Sequence, residues 1–577
     1  MNQTYLSDDL IFVDFEYNEN GEILTFQYKY KDKIEILAFP DATKKRIKEI
    51  LKDKHVIGWH IIGDFQVLNF TDSDLEEFKD YDDLYYAYII YDYKSFCGDE
   101  QMDLYSLLKR ENIVDLSNIN KKELQKLFMD MKPYQIKGHL KNKKIVEYIE
   151  NDVRYLDKLY IKLLNIIKTS KVYKLDKEMF KPVLYAHSRG LPFDIVNAEK
   201  RKEELTQLAE AIEREVRNEY GIYVDSPLQV SSILEKDEKC VETYNYIVKN
   251  GIVTVDNKKQ KFSTKSEVLE FLDHPLAKKV LEFRDIRSSL SYLEQYIKNV
   301  TKNNGRLKGR FHITQAPSGR MSCQDVNLQQ VKRELRRFIT SDEGSYILKI
   351  DYATIELRLV AIIAKDKVMI DLFQKMEDLH TKTTQKIFNK SEVTKEERKI
   401  GKACNFSLLY GMAARKLVKT IHEATGIFIS LEQAEEFKTS WFDLYKDIKQ
   451  WHKAVGQRLK FDGYIDHNQV GFGKTIMGRR YRTTYINSSL NYPIQGAGAD
   501  LFKVVAVRAY KDGVRFINFV HDEYVAEVSN EKEGKEIIEV INNHAQDVWN
   551  KFCEVVNSPK IPLLLEASLL KSWLEEG

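Results

Sequence analysis

Short apolar runs interrupted by a carboxylate are the clearest pattern along this chain of 577 residues. One is YILKIDYATIELRL (346–359), which contains Asp351, and another is FINFVHDEYVAEV (516–528), which contains Asp522. Both are rich in residues that favour strands, and the second predicts two strands that fold back at 521–523. A fold that laid the runs side by side would put both aspartates on one rim. Two close carboxylates repel each other unless a cation lies between them, and paired Mg²⁺ ions about 4 Å apart are a known device for phosphoryl transfer.

A helical stripe lies between these two runs. In TKEERKIGKACNFSLLYGMAARKL (394–417) two cationic and two aromatic residues are spaced four apart: Arg398, Lys402, Phe406 and Tyr410. At about 100° per residue, this spacing predicts that the four lie along one side of a helix. An Arg and a Lys one turn apart suit a triphosphate, and a Phe one turn further suits a base or sugar face. The alternative is a surface Arg and Lys that run into a buried Phe and Tyr; beside the two aspartates, the functional interpretation is favoured.

A second acidic set lies in the first 170 residues. IFVDFEYN (11–18) predicts a strand, on which Asp14 and Glu16 point to the same face because they are two residues apart. KIVEYIENDVRYLDKLY (144–160) predicts a helix on which Tyr148 and Asp152 share a face. With Asp64, from HVIGWHIIGDFQVL (55–68), these carboxylates could hold two divalent metals while Tyr148 orients an attacking water.

Composition changes this picture little. The net charge is +2, so bulk charge does not indicate a nucleic-acid binder, although KRELRRF (332–338) could meet phosphates. Five cysteines (97, 240, 323, 404 and 553) lack paired spacing, which fits a reducing cytosol and predicts neither a disulfide framework nor a zinc site. The N-terminus lacks the basic and apolar regions of a signal peptide, and no apolar run is long enough to span a bilayer.

The motifs resemble those of a known family. D-Y-x-x-I-E-L-R (351–358), R-x-x-x-K-x-x-x-F-x-x-x-Y-G (398–411) and H-D-E (521–523) look like motifs A, B and C of the family A DNA polymerases, the DNA polymerase I type. Their order and approximate spacing match. Further similar segments fill the gaps: SGRMSCQDVNLQQ (318–330), DLHTKTTQKIF (378–388), IMGRRYR (476–482) and NYPIQGAGADLFK (491–503).

The resemblance implies a multidomain α/β (α+β) fold, in which a ribonuclease H-like exonuclease domain precedes a polymerase right hand of thumb, palm and fingers. The expected division is exonuclease 1–170, linker and thumb 171–304, first palm part 305–365, fingers 366–479 and second palm part 480–577. The palm is split because motifs A and C must meet in one sheet while motif B lies above them.

For the polymerase site, the resemblance implies metal and triphosphate ligands. Asp351 and Asp522 would bind two Mg²⁺ ions, with the Tyr352 carbonyl as a further ligand. Arg398 and Lys402, together with His380, would neutralise charge on the triphosphate. Lys402 is also a candidate proton donor to the leaving group.

The resemblance also implies nucleotide selection and DNA contacts. Phe406 would stack near the incoming nucleotide, and Tyr410 would close the insertion site. Glu356 is the candidate sugar gate, which in the family blocks a 2′-hydroxyl; on a straight strand it would face away from Asp351, so a turn at 353–354 would have to return it to the cleft. Its alternative role is to pair with Arg358. Candidate minor-groove and primer-end contacts are Arg320, Asn491, Gln495 and His521.

The N-terminal set resembles the DEDD 3′–5′ exonucleases of the subclass with Tyr in the third motif. Two Mg²⁺ ions would then be bound by Asp14, Glu16, Asp64 and Asp152, with Tyr148 beside them. The chain departs from the usual patterns at His60 (usually Asn), Tyr17 (commonly Thr), Ser407 (usually Gly) and Asn487 (Arg in many members). Because His60 and Tyr17 belong to the exonuclease-like segment, a domain that binds single-stranded DNA but cuts slowly is the alternative.

The resemblance thus implies a template-directed DNA polymerase that adds dNTPs to a primer 3′ end and proofreads. Expected partners are primer–template DNA and dNTPs, with Mn²⁺ as an alternative metal and a replicative helicase, a primase or a single-strand binding protein as candidate protein partners. We expect a monomer without membrane attachment, in the cytoplasm. Because the chain starts with the exonuclease-like segment, a separate 5′-nuclease is expected to be absent. This suggests a phage replication enzyme in a bacterial host, with a plasmid or bacterial repair enzyme as the alternative.

Three other functions are compatible with part of the sequence pattern. A single-subunit RNA polymerase shares the motifs in outline, but Glu356 and the exonuclease-like segment argue against it. A nuclease whose polymerase half only holds DNA, and a catalytically dead scaffold, are disfavoured because Asp351, Lys402 and Asp522 are all present.

Overall fold

The computed structural model describes residues 7–93, 103–255, 262–461, 471–483 and 486–574. The expectations about the extreme N-terminus and Cys97 therefore lie outside the described residues. The four cysteines within these ranges are buried free thiols. None of the helices in these ranges is long and apolar enough to cross a membrane.

In the described part of the chain, the N-terminal half is built on a sheet of β1 Leu10–Tyr17, β2 Ile23–Tyr30, β3 Lys33–Ala38, β4 His55–Gly58 and β5 Asp80–Asp83. The strand order is β3-β2-β1-β4-β5; β1, β2 and β3 are antiparallel neighbours, whereas β4 and β5 continue the sheet in parallel. Its helices are α1 Lys44–Leu51, α2 Ile61–Val67, α3 Leu84–Tyr91, α4 Leu104–Arg110, α5 Lys121–Met129, α6 Ile136–His139, α7 Lys143–Arg154, α8 Leu156–Thr169, α9 Lys171–Glu178 and α10 Phe180–Arg189.

The helix predicted over 144–160 is two helices. Tyr155 has φ −110° and ψ 4°, which takes the backbone out of the helical region between α7 and α8. The break lets α8 pack against α3 while α7 stays over β1 and β2. Local periodicity did not indicate this break, because the apolar pattern continues across it.

The middle of the chain is a long helical hairpin. Its two stalks are α11 and α15, and the elements follow in the order β6 Leu191–Pro192, α11 Ile195–Tyr220, α12 Pro227–Leu234, α13 Glu238–Lys249, α14 Ser266–Leu269, α15 Pro275–Lys302, β7 Arg306–Leu307, β8 Arg310–His312 and β9 Ser322–Gln324. Gly221 ends α11 at φ 70°, a left-handed conformation that glycine adopts without a Cβ penalty.

The C-terminal half surrounds an antiparallel sheet with the order β13-β14-β10-β15 among the described residues. The elements are β10 Tyr346–Tyr352, α16 Ile355–Ala364, α17 Lys367–Gln374, α18 Leu379–Phe388, α19 Lys395–Leu408, α20 Ala414–Thr425, α21 Leu431–Leu444, α22 Lys446–Phe461, β11 Gly471–Lys474, β12 Arg480–Thr483, α23 Ile486–Lys511, β13 Phe516–Val520, β14 Glu523–Val528, α24 Glu531–Val555 and β15 Leu565–Leu570. Helices α16–α22 are thus inserted between two parts of one sheet.

A buried charge cluster joins the two halves. Asp176 on α9 accepts two hydrogen bonds from the Arg479 guanidinium, each 2.9 Å, and one from Lys503 on α23 at 2.7 Å. Asp500 lies 3.2 Å from Arg479, and Thr314 bridges Lys503 and Asp176. All four charged side chains are at most 3% exposed, so paired charges rather than solvent balance them.

The hairpin end also touches the inserted helices. Phe271 stacks on His422 with ring centroids 4.4 Å apart, and Lys419 on α20 pairs with Glu267 on α14 at 2.7 Å. The backbone N–H of Leu431 donates to the Tyr246 hydroxyl at 3.2 Å. These contacts connect the free end of the hairpin to α20 and α21.

Candidate functional site

Strands β10 and β14 bring Asp351 and Asp522 to the same end of the C-terminal sheet. The two strands are antiparallel, with Asp351 opposite Glu523, and Asp522 lies in the turn directly before β14. The Tyr352 N–H lies 3.4 Å from the Asp522 carbonyl oxygen. His521, in the same turn, has φ 54°, an uncommon conformation for a residue other than glycine. The hairpin anticipated at 521–523 is present.

Burial makes this pair of carboxylates electrostatically costly. Burial, with a further contribution from Asp522, raises the pKa of Asp351 to about 7, and burial also raises the pKa of Asp522. Asp351 Oδ1 is buried and has no hydrogen-bond partner among the described residues. Hard oxygen donors with an unsatisfied acceptor suit a divalent cation such as Mg²⁺. The residues therefore fit the metal site that the sequence predicts.

The side chains of Tyr352 and Glu523, beside the paired aspartates, are bound by other residues of the protein. The Tyr352 hydroxyl lies 3.0 Å from that of buried Tyr524, so this hydroxyl is bound within the protein. Glu523 pairs with Lys349 at 3.1 Å and accepts from Trp573 Nε1 at 3.1 Å. These two contacts fix the position of the Glu523 carboxylate beside the paired aspartates.

Helix α19 carries most of the predicted stripe. It begins at a capping box of Thr394 and Glu397 and includes Arg398, Lys402 and Phe406. Tyr410 lies beyond the helix end at Leu408, so the expectation that all four residues share one helix is wrong for Tyr410. Arg398 is partly exposed and makes a two-pronged ion pair with Asp378, with N–O distances of 2.7 and 2.8 Å.

His380 differs from the expected cation. It is 5% exposed, and its Nδ1 lies 2.9 Å from the Asn405 amide nitrogen. Burial lowers the pKa of His380 to about 4, so the imidazole is neutral near pH 7. The expectation that His380 adds positive charge for a triphosphate is therefore corrected to a neutral hydrogen-bonding ring, 5.8 Å from the Phe406 ring.

Glu356 is turned toward the cleft by the backbone. Thr354 adopts φ 53°, rare for a β-branched residue, and α16 begins directly after it. Glu356 consequently lies in the first turn of α16, where Arg320 Nη2 donates to it at 2.5 Å and the Tyr410 hydroxyl donates to its other oxygen. The alternative partner Arg358 instead donates to the backbone carbonyls of Ala353 and Pro562.

The candidate DNA contacts lie around the same cleft. Arg320 and His521 line one small cavity next to the carboxylate rim. Asn491 and Gln495 lie one turn apart on α23 and are both half-buried. Two of the departures from the family pattern, Ser407 and Asn487, lie in the C-terminal half. Ser407 is buried within α19, and the Asn487 amide donates to the Gly411 carbonyl at 3.4 Å. The Asn487 hydrogen bond does not involve the paired aspartates.

In the N-terminal half, three of the four predicted carboxylates come together. Oxygen atoms of Asp14, Glu16 and Asp152 all lie within 4.8 Å of one another. Burial and then the Asp152 charge raise the pKa values of Asp14 and Glu16. Asp64 is outside this group. Burial is the main cause that raises the pKa of Asp64, and the charge of Asp14 is the second. Tyr148 donates a hydrogen bond to Glu16.

Two residues of this site were not anticipated. Tyr105 on α4 donates its hydroxyl proton to the Tyr148 carbonyl at 3.2 Å, and the same hydroxyl lies close enough to Asp152 to lower its pKa. Lys121 opposes the effect of burial on Asp152, whose pKa is raised to about 6. Neither belongs to a recognisable spacing, since only the fold brings α4 and α5 beside β1 and α7.

A second acidic group in the described ranges, His55 with Asp80 and Asp82, is already balanced. Lys177 lies 2.8 and 3.2 Å from the two aspartates. This ammonium group takes the place that a metal would fill.

Comparison with known proteins shows the family to which the chain belongs. The sequence profile described as DNA polymerase family A matches residues 196–575, and the chain therefore belongs to DNA polymerase family A. DNA polymerase I of Aquifex aeolicus is 30% identical over 472 residues, which are 75% of this chain and 76% of that protein. The thermostable DNA polymerase I of Thermus aquaticus is 29% identical over 341 residues, 54% of this chain and 38% of that protein.

A solved structure is similar over nearly the whole chain. It is the POL domain of Pol1 from M. smegmatis in complex with DNA primer-template and dNTP, at 19% identity and a TM-score of 0.73. The match covers 98% of this chain and 95% of that one. At this identity the likeness establishes the mixed α/β multidomain fold.

Proposed function

We propose that this protein is a template-directed DNA polymerase that extends a primer 3′ end with dNTPs and has a separate 3′–5′ exonuclease site. The single observation that carries the polymerase proposal is the pair of Asp351, on β10, and Asp522, in the turn directly before the adjacent strand β14, in a chain of family A. In this proposal the antiparallel sheet and α16 belong to the palm, the α11–α15 hairpin is the thumb and α17–α22 are the fingers. A phage role stays a prediction from the sequence.

The polymerase residues divide the work by position. Asp351 and Asp522 would hold Mg²⁺, which when bound activates the primer hydroxyl and stabilises the leaving pyrophosphate. Arg398 and Lys402, one turn apart on α19, would bind the triphosphate. Phe406 and Tyr410 would form the nucleotide pocket, with Glu356 held beneath the sugar by Arg320 and Tyr410.

The exonuclease proposal rests on the acidic group of the N-terminal sheet. Three carboxylates within 4.8 Å and a tyrosine bonded to one of them support a metal-assisted hydrolytic site. The sheet order β3-β2-β1-β4-β5, with three antiparallel strands followed by two parallel ones, supports the ribonuclease H-like assignment. Asp64 on α2 would be the fourth acid of the ligand set.

The test is a gel assay on a 5′-labelled primer–template with Mg²⁺, with and without dNTPs. The wild-type protein should extend the primer with dNTPs and shorten it without them. Asp522→Ala should abolish extension and spare shortening, whereas Asp14→Ala should do the reverse; Asp512→Ala, an exposed acid, is the matched control. If a folded, DNA-binding single variant lost both activities, the two-site proposal would be wrong.

A further inference from the structure

Four consecutive residues that follow the helical hairpin, 310–313, lie against the N-terminal half. We infer that this segment, β8 and Ile313, is a positioning element of the exonuclease site, and that His312 is the residue that holds His60 in place. The consequence for activity rests on the exonuclease proposal, while the contacts themselves can be tested without it.

The first contact holds α2, the helix that carries Asp64. The Gln66 side-chain amide donates to the Phe311 carbonyl at 2.8 Å and accepts from the Phe311 N–H at 2.7 Å. Gln66 is 1% exposed, so breaking this pair would leave buried polar groups unsatisfied. On the other side, His187 lies between the carbonyl oxygens of Gln66 and Gly309, at 2.7 and 2.8 Å.

The second contact is a pair of histidines. His60 Nε2 lies 3.0 Å from His312 Nδ1, with the ring planes 21° apart. One nitrogen donates and the other accepts, so each ring can remain neutral; burial lowers the pKa of both, to about 3 for His60. His60 adopts φ 58° and folds over Gly63, where a Cβ would lie 2.7 Å from its ring. This conformation fixes His60 at the start of α2, four residues before Asp64.

The remaining contacts involve the neighbouring residues of the segment. Arg310 forms an ion pair with Asp325 and a hydrogen bond with the Tyr17 hydroxyl. The Ile313 N–H donates to the Tyr86 hydroxyl at 3.1 Å. Each residue from 310 to 313 therefore has a polar contact with the N-terminal half.

These contacts also account for the two unusual residues of the site. His60 and Tyr17 are the positions at which the N-terminal half departs from the expected exonuclease pattern, and both are held by β8. We interpret the pair of departures as one interface between the halves rather than as decay of the site. β8 pairs with β9, which starts two residues after Arg320.

The test compares His312→Ala with His544→Ala, a partly exposed control histidine. Loss of an outer-shell partner typically costs about 10–100-fold in activity or metal affinity. We expect His312→Ala to shorten a labelled primer at least about 10-fold more slowly and to need more Mg²⁺ for half-maximal shortening. Extension with dNTPs should stay at the wild-type rate. His312→Asn, which keeps a donor and an acceptor, should recover most of the loss.

Two further measurements separate positioning from general damage. A double variant, His60→Ala with His312→Ala, should cut no more slowly than either single variant, because both remove the same contact. Amide hydrogen exchange of residues 61–68 should accelerate in His312→Ala and stay unchanged in His544→Ala.

Several results would overturn the inference. It is wrong if His312→Ala cuts normally, if the two single losses multiply in the double variant, or if extension falls as much as shortening. A wild-type protein that never shortens the primer would refute the exonuclease proposal instead. In that case amide hydrogen exchange of α2 still tests whether His312 positions this helix. Unchanged exchange in His312→Ala would contradict that role.

Discussion

Replacing Asp176 should destabilise the protein far more than replacing its neighbour Glu178. Both acids lie on α9 and pair with a lysine of α23, but the Asp176 pair is buried and also includes Arg479, whereas the Glu178 pair is exposed. Asp176 and Lys503 are each 1% exposed at an N–O distance of 2.7 Å, whereas Glu178 and Lys511 are 49% and 62% exposed at 3.2 Å.

The magnitude follows from the geometry. At an effective dielectric constant of about 20, unit charges 2.7 Å apart attract by about 6 kcal/mol, part of which offsets the desolvation of both groups. Asp176→Ala leaves Lys503 and Arg479 with Asp500 as their remaining acid. Breaking a buried pair in this way costs about 3–5 kcal/mol, whereas Glu178→Ala should cost less than about 1 kcal/mol.

The pH dependence provides a second check. Burial lowers the pKa of Lys503 to about 8, although Asp176 opposes the shift. Without Asp176 this pKa falls further, so the folded variant gives up the proton that its unfolded chain keeps up to about pH 10.4. The unfolded state then binds more protons, and the variant gains stability with rising pH. Its deficit should shrink as the pH rises from 6 to 8 and then level off, since above pH 8 Lys503 is largely neutral in both proteins.

Urea unfolding of wild type, Asp176→Ala and Glu178→Ala at pH 6, 7.5 and 9 would measure these differences, with the slope m checked for two-state behaviour. Equal losses in the two variants would refute the reasoning, because burial would then not determine the energy of the pair. A deficit that is constant or grows with pH would refute the role given to Lys503.

Three more outcomes are expected. Glu356→Ala should raise ribonucleotide incorporation relative to dNTP by about 10–100-fold, because the gate beneath the sugar is removed; the ratio of the two kcat/KM values measures this, and an unchanged ratio contradicts the gate. Asn405→Ala should cost about 2–4 kcal/mol in urea unfolding, because Trp441 Nε1 donates to it at 2.8 Å in a buried site; a loss below 1 kcal/mol would contradict this. Lys419→Glu should speed dissociation of primer–template DNA, and adding Glu267→Lys should restore it by remaking the ion pair between the hairpin end and α20; no recovery in the double variant would count against that contact.

Local sequence determined the elements that carry the chemistry. The apolar runs around Asp351 and Asp522 predicted strands and the hairpin between them, because side-chain alternation and strand propensity are properties of a few adjacent residues. The four-residue spacing of Arg398, Lys402 and Phe406 predicted one helical face for the same reason. The motif order also indicated the family.

Only the tertiary structure decided which way several of these groups act. Glu356 reaches the cleft because Thr354 takes a left-handed conformation that strand alternation does not indicate. His380 is neutral because other helices bury it, and Asp176 is charged because Arg479, 303 residues away, lies beside it. The contact of His60 with His312 spans 252 residues. Burial and partners of this kind depend on residues distant in the chain, so no local pattern contains them, whereas periodicity and caps are complete within one helix or strand.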